Sequence, residues 1–209
     1  MAFDGIPRKA FDFYKELEAD NTREHWHAHK ADYDSAVRGP MQALLEELEE
    51  EFGAGKLFRP QRDTRFSKDK SPYKTSQSAT VGGQGPAGYY LELGADGLFV
   101  GAGFHAFSSE GVAAYRAAVD DDKSGPEAQK IVDRLLDQGF SLVGERVKTQ
   151  PRGYKADHPR IELIRYKNLG AEKRIPKTKA TGAQALPAVR DAWRDLRPLV
   201  EWLSAHTAS

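Results

Sequence analysis

The densest chemistry in the chain lies in the run FRPQRDTRFSKDKSPYKT, residues 58–75. Between Lys56 and Lys74 stand seven cations, Lys56, Arg59, Arg62, Arg65, Lys68, Lys70 and Lys74, interrupted only by Asp63 and Asp69. Guanidinium groups hold phosphate or carboxylate oxygens bidentately, and ammonium groups supply point charges. Ser67, Ser71, Tyr73 and Thr75 add hydroxyl donors. A strand would divide these side chains between two faces. A loop, which Pro72 favours, can gather them. The residue types point to an anionic ligand, with Arg65, Lys68, Lys70, Tyr73 and Lys74 as candidate contacts and Asp69 as a candidate proton carrier. They also fit an ion-paired structural loop in which the aspartates neutralise cations while Phe66 and Tyr73 anchor the segment in the core.

A second basic cluster is PRGYKADHPR, residues 151–160. Arg152, Tyr154, Lys155, His158 and Arg160 fall close together around a turn and an expected helix start. A helix N-terminus near Asp157 or His158 can receive an anion, so Arg152 and Arg160 join the candidate contacts. The unperturbed imidazole pKa lies near neutrality, which makes His158 a candidate general acid or base. The plainer reading is a shaped loop that His158 caps. In HWHAH, His25 and His29 stand at i, i+4, a spacing that can hold one metal ion. No third ligand is indicated, so the expectation is a solvated polar face and no metal site. His105 and Glu92 can line a pocket on a sheet, or be ordinary strand residues.

The chain has 209 residues, no cysteine, and 31 basic against 31 acidic side chains. Without cysteine there is no disulfide, thiolate nucleophile or Cys-built zinc site. No signal peptide or apolar run of membrane-spanning length is visible, so the expectation is a soluble cytoplasmic protein with no membrane partner. Charge is unevenly spread: net −7 over 1–55, +5 over 56–74, −6 over 75–145 and +8 over 146–179. Two basic segments set in an acidic chain make a positive site if they meet.

The elements that position these residues follow from periodicity. Phe11, Tyr14 and Leu17 predict a first helix after Pro7. Asn21 with Glu24 predicts a cap, and Trp26, Lys30, Tyr33 and Val37 a second helix, which Gly39-Pro40 should break. Leu44, Leu45, Leu48 and Phe52 mark a third. Ser78–Val81, Gly88–Leu93 and Leu98–Phe104 read as strands, with Ala95-Asp96-Gly97 a hairpin turn. Helices are expected near Ser109–Val119 and Glu127–Gln138. Phe140–Val143 and Arg146–Lys148 read as strands, and His158–Tyr166 as a short helix. Residues 167–182 read as irregular, with one strand near Arg174–Ile175. A terminal helix runs from about Leu186 to His206. Helices, then clustered strands, then helices predict an α+β fold. The expectation is one domain over 1–209, a mainly antiparallel central sheet with N- and C-terminal helices packed on it.

RDTRFSKDKSPYKT, GYYLEL, GLFVGAG, PRGYKADHPR and PLVEWL resemble a family of bacterial and fungal proteins known as domain of unknown function 2461. FDFYKELEADNTREHW resembles its opening. The resemblance covers nearly the whole chain and implies a single full-length α+β domain, but it supplies no activity. The family usually has an aromatic pair where this chain has Trp26-His27, so His27 is not a family site.

The sequence names no cofactor: no dinucleotide fingerprint, Walker motif, GxSxG elbow or EF-hand loop is present. The leading expectation is a pocket for a phosphorylated small molecule or nucleotide where the two basic segments converge, with any chemistry at a phosphate-bearing substrate. The alternatives are a nucleic-acid-binding or toxin-like module, which a pI near 7.0 weighs against, and a protein-interaction domain meeting an acidic partner.

Overall fold

The computed structural model describes residues 3–65, 68–82, 87–103 and 108–207. Phe66, Ser67, Phe104 and His105, named above, lie outside the described residues. The fold is α+β, built on a six-stranded antiparallel open sheet of order β1-β2-β3-β4-β6-β5. Its strands are β1 (Gly55–Leu57), β2 (Ser76–Val81), β3 (Gly88–Gly94), β4 (Gly97–Gly103), β5 (Ser141–Val143) and β6 (Gly170–Pro176). The chain groups into two compact units. The first comprises residues 1–81, 90–100 and 174–191, and the second residues 82–89, 101–173 and 192–209.

In the first unit, α1 (Arg8–Ala19) buries Phe11, Phe13, Tyr14 and Leu17 along one stripe. α2 (Arg23–Asp32) is capped by Thr22, whose Oγ1 accepts from the His25 backbone N–H at 3.2 Å. Asn21, the expected cap, does something else. Its Nδ2 donates to the Tyr73 carbonyl at 3.0 Å and its Oδ1 accepts from the Tyr73 N–H at 3.2 Å. A side-chain amide carries its donor and its acceptor on separate atoms, so it meets the carbonyl and the N–H of one residue at once.

Gly39-Pro40 does not break the helix. A π-helical segment, Tyr33–Arg38, joins α2 directly to α3 (Gly39–Phe52). The Gly39 N–H bonds to the Asp34 carbonyl, five residues back. In a straight α-helix the Pro40 ring would press on the carbonyl four residues before it, and its missing N–H would leave a gap. One wide turn ahead of the proline relieves both. α3 then ends at Gly53, whose φ of 95° suits only glycine.

The β3–β4 hairpin turns at Ala95-Asp96. At Gly97, φ is +135° and a Cβ would sit 2.4 Å from the Ile175 carbonyl oxygen, so no other residue fits. β1 was not expected; it is three residues long and mostly exposed, and it forms by pairing Gly55–Leu57 with Ala79–Val81. Beneath β2 lies a buried polar chain. The Tyr33 hydroxyl donates to Gln77 Oε1 at 2.5 Å, and Gln77 Nε2 donates to the carbonyls of Phe58 (2.8 Å) and Ser78 (3.0 Å). Gln77 is 1% exposed, yet every polar atom of its amide is paired.

In the second unit, α4 (Ser109–Asp120) is capped by Ser108, and α5 (Ser124–Asp137) buries Ile131, Val132 and Leu135. The Tyr115 hydroxyl donates to the Leu163 carbonyl at 2.9 Å, and burial pushes its phenol well up. The helix expected over 158–166 shrinks to α6 (Ile161–Ile164), because Pro159 follows a series of turns. Arg146–Lys148 contributes one bridge, Arg146 to Tyr166, rather than a strand. The basic stretch after residue 167, read as irregular with one strand near Arg174–Ile175, contains that strand as the longer, seven-residue β6, which pairs with β5 through Gly170–Val143, Ala171–Leu142 and Glu172–Ser141. Charged residues at Glu172–Arg174 hide its strand pattern. A single turn, α7 (Lys177–Ala180), follows. α8 (Ala185–Thr207) closes the chain, with Val189, Trp193, Leu196, Leu199 and Leu203 buried.

Replacing Tyr33 with Phe leaves Gln77 Oε1 buried without its donor. The expected loss is about 1–3 kcal/mol of stability in chemical denaturation. Burial pushes the Tyr33 phenol up to about 12. Its contribution is therefore complete below pH 10 and is lost as pH rises toward about 12. That alkaline loss should be smaller in Tyr33→Phe.

Candidate functional site

The segment between β1 and β2 is zipped onto itself. Arg62 N–H donates to the Pro72 carbonyl and Lys74 N–H to the Pro60 carbonyl, both at 2.9 Å, and Gln61 bridges to Tyr73. Asn21 clamps the Tyr73 peptide from the α1–α2 turn. Tyr73 lies flat on Trp26, centroids 4.2 Å apart and planes 11° from parallel. The loop is thus held by backbone pairing and one aromatic stack.

Several of its cations serve the loop. Arg65 makes a bidentate pair with Asp63, Nε to Oδ1 at 3.0 Å and Nη2 to Oδ2 at 2.7 Å, although its side chain is 77% exposed. Arg62 pairs with Asp69, and Lys70 Nζ donates to the Thr64 carbonyl at 2.9 Å. Asp69 Oδ1 also accepts the Ser71 N–H at 2.9 Å. That hydrogen bond, before any charge effect, holds the Asp69 carboxyl below its ordinary range, and pairing with Arg65 does the same for Asp63. Asp69 is therefore held in the ionised, accepting form. Lys74 Nζ lies 5.3 Å from the Phe58 ring centroid. Lys68 is exposed.

The other candidates belong to the second unit. Arg160 Nε donates to the Val119 carbonyl at 2.6 Å and Nη2 to that of Asp120 at 2.9 Å. These are carbonyls at the C-terminus of α4, which a guanidinium suits in both hydrogen bonding and dipole. His158 Nδ1 accepts the Arg160 N–H at 3.0 Å, and its Nε2 is 3.0 Å from Asp120 Oδ1. Both ring nitrogens thus have protein partners. α6, only four residues long, begins at Ile161 rather than at His158. Arg152 is exposed in the turn.

Residues of the first unit form a cleft of about 380 Å³. Its floor is aromatic, from Trp26, Tyr33 and Phe58, and its rim carries Lys30, Arg38 and Arg59, with Asp34 as the one acid. Lys30 pairs with Asp34. Arg38 and Arg59 have no hydrogen bond or ion pair among the described residues. The polar chain through Gln77 fixes two of these walls, holding the Tyr33 hydroxyl and the Phe58 carbonyl at once. Tyr73 and Lys74 touch the cleft's rings from outside, on Trp26 and Phe58 respectively. Arg38 escaped sequence reasoning because its partners across the cleft, at 57–61, lie about twenty residues further along the chain. Its position four residues after Asp34 on a helical face gave no distinctive signal.

Two other hollows in this unit suit an anion less well. One of about 190 Å³ gathers Glu18, Glu92 and Asp96, and its cation Arg174 is bonded to Asp96. The other, of about 410 Å³, sets Glu46 and Glu49 beside Arg38 and Lys56. Acids oppose cations in both, so neither has the net positive rim of the 380 Å³ cleft.

Residues 9–202 match the family described as conserved hypothetical protein (DUF2461). No curated protein matches the chain.

Asn21→Ala removes both hydrogen bonds to Tyr73 and should cost about 1–2 kcal/mol, with faster amide exchange at Tyr73 than at β2. Because the Asp63 and Asp69 carboxyls are held down in the folded loop, their stabilisation is present above the usual carboxylate pKa of about 4 and fades as pH falls through their lowered values. Amide exchange at Ser71 should rise over that acid range, and Asp69→Asn should show the rise already at neutral pH.

Proposed function

We propose that this chain, which belongs to the DUF2461 family, binds a phosphorylated small molecule or nucleotide in the cleft between α2, the π segment and residues 57–61. The observation that carries this reading is the combination of an aromatic floor with a rim on which Arg38 and Arg59 make no hydrogen bond or ion pair among the described residues, Arg59 lying near enough to Asp63 only to help lower its carboxyl. Arginines that serve only structure generally find a carboxylate or a carbonyl, as Arg65 and Arg160 do here. The volume suits a compact ligand. Trp26, Tyr33 and Phe58 offer apolar area for a base or sugar ring. Arg38, Arg59 and Lys30 supply neutralisation and orientation of phosphate oxygens. Tyr73 and Lys74 act through the rings they touch, and the paired Arg65 and Lys70 keep the loop in shape. The arrangement favours binding; none of its residues forms a nucleophile–base pair.

The test is a thermal-shift screen of nucleotides and sugar phosphates against the full chain, followed by calorimetry. A hit should lose about tenfold or more in affinity in Arg38→Ala and in Arg59→Ala, the magnitude of a charged hydrogen bond. Arg152→Ala asks whether the second basic segment reaches the same ligand, and a matching loss would place it there. If no phosphorylated ligand stabilises the parent, or if hits bind both cleft variants as well as the parent, this reading is wrong.

A further inference from the structure

Glu16 on α1 and His25 and His29 on α2 bring one ligand atom each to within 4.8 Å of one another. The two helices are joined by the short turn at residues 20–22, so they run back against each other. His25 and His29 are one turn apart and their rings stack, centroids 4.2 Å apart and planes 28° from parallel. Stacking aims both imidazoles the same way, toward the exposed carboxylate of Glu16.

The polar contacts of the two rings indicate which nitrogens are free. His29 Nδ1 lies 2.8 Å from the His25 carbonyl oxygen. A carbonyl only accepts, so Nδ1 carries the proton and Nε2 presents a lone pair. His25 Nδ1 lies 3.6 Å from Asp20 Oδ2, which favours a proton there too. His25 Nε2 is buried and has no hydrogen-bond partner among the described residues. Buried polar nitrogens are seldom left this way, and a bound ion is one of the ordinary partners for one. His29 thus turns Nδ1 to an orienting carbonyl, His25 turns its own toward a carboxylate 3.6 Å away, and each leaves Nε2 for something else. Metal-ligating histidines are held in this way, by a carbonyl or a carboxylate on the far nitrogen.

We propose that Glu16, His25 and His29 bind one divalent transition-metal ion of the zinc class. Two imidazoles and a carboxylate suit such an ion in ligand type. Ligand atoms about 2.0–2.2 Å from a tetrahedral ion lie about 3.3–3.6 Å from each other. Spacings of at most 4.8 Å therefore have to close by no more than about 1.5 Å, to which the exposed Glu16 side chain can contribute by a rotamer change. Three protein ligands leave a fourth position open for water. His27, on the exposed side of α2, takes no part. Mg²⁺ and Ca²⁺ prefer oxygen ligands and should not compete. The site does not depend on the anion cleft, which uses Trp26 and Lys30 on the neighbouring stripe of the same helix.

The test is calorimetric titration of the chelator-stripped full chain with ZnCl₂, with MgCl₂ and CaCl₂ as controls. One Zn²⁺ per chain should bind, and neither control ion should. Glu16→Gln, an exposed substitution that leaves the helix intact, and His29→Ala should each weaken Zn²⁺ binding about tenfold or more, and Asp20→Asn by about tenfold through His25. His27→Ala should bind as the parent does, and circular dichroism should show the parent's helix content in all four variants. Failure of the parent to bind one Zn²⁺ per chain overturns the site. So does undiminished binding in Glu16→Gln or in His29→Ala.

Discussion

The side-chain amide of Gln77 is the constraint on which the first unit's site depends. It is almost fully buried, so each of its polar atoms must be paired inside the protein or cost free energy. It meets that demand with three groups from three places: the Tyr33 hydroxyl, the Phe58 carbonyl and the Ser78 carbonyl. The pairing ties the π segment to the start of the basic loop across β2. Those two places are the walls of the cleft. A polar core group that can be satisfied in one arrangement specifies that arrangement, because any slip leaves a buried donor or acceptor exposed to nothing.

The basic loop is held in a different way. Its ion pairs lie at the surface, where a pair contributes roughly 0–1 kcal/mol. Their role is to set the direction of Arg62, Arg65, Asp63 and Asp69 more than to stabilise the fold. The Asn21 clamp on Tyr73 and the Tyr73–Trp26 stack anchor the loop to α1 and α2 instead. Part of the loop's charge is therefore answered within the loop itself. The cations that make ion pairs in the loop are those nearest the aspartates, whereas Arg38 and Arg59, which line the aromatic cleft, make no hydrogen bond or ion pair among the described residues.

One short helix, α2, carries several demands on adjacent stripes. Trp26 packs on Tyr73 and lines the cleft with Lys30, while His25 and His29 turn toward α1. The π segment that follows lets the helix continue past Pro40, so Tyr33 and Arg38 stay on the same rod as Trp26. A helix broken at Gly39-Pro40 would have left α3 free to leave in another direction.

Much of the architecture was legible from local signals. The amphipathic stripes of α1, α3, α5 and α8 and the Ala95-Asp96-Gly97 turn depend on neighbours within a few residues, and burial follows from those patterns. The α+β class followed from their order. Other features required partners distant in sequence. β1 and the first half of β6 exist because of the strands they pair with; their own residues are too few or too charged to announce them, and only the end of β6, near Arg174–Ile175, read as strand. Asn21 looked like a helix cap because no local rule shows a peptide group fifty-two residues away waiting for it. Likewise HWHAH displayed two candidate ligands at the right spacing, but the carboxylate facing them is on another helix. What the sequence determined by itself was the kind of chemistry present: cations, aromatics and imidazoles in quantity, and no thiol. Which of them answer each other, and which are left facing a cleft, was decided by tertiary structure, because charge pairing and buried hydrogen bonding depend on distances that only the folded chain sets.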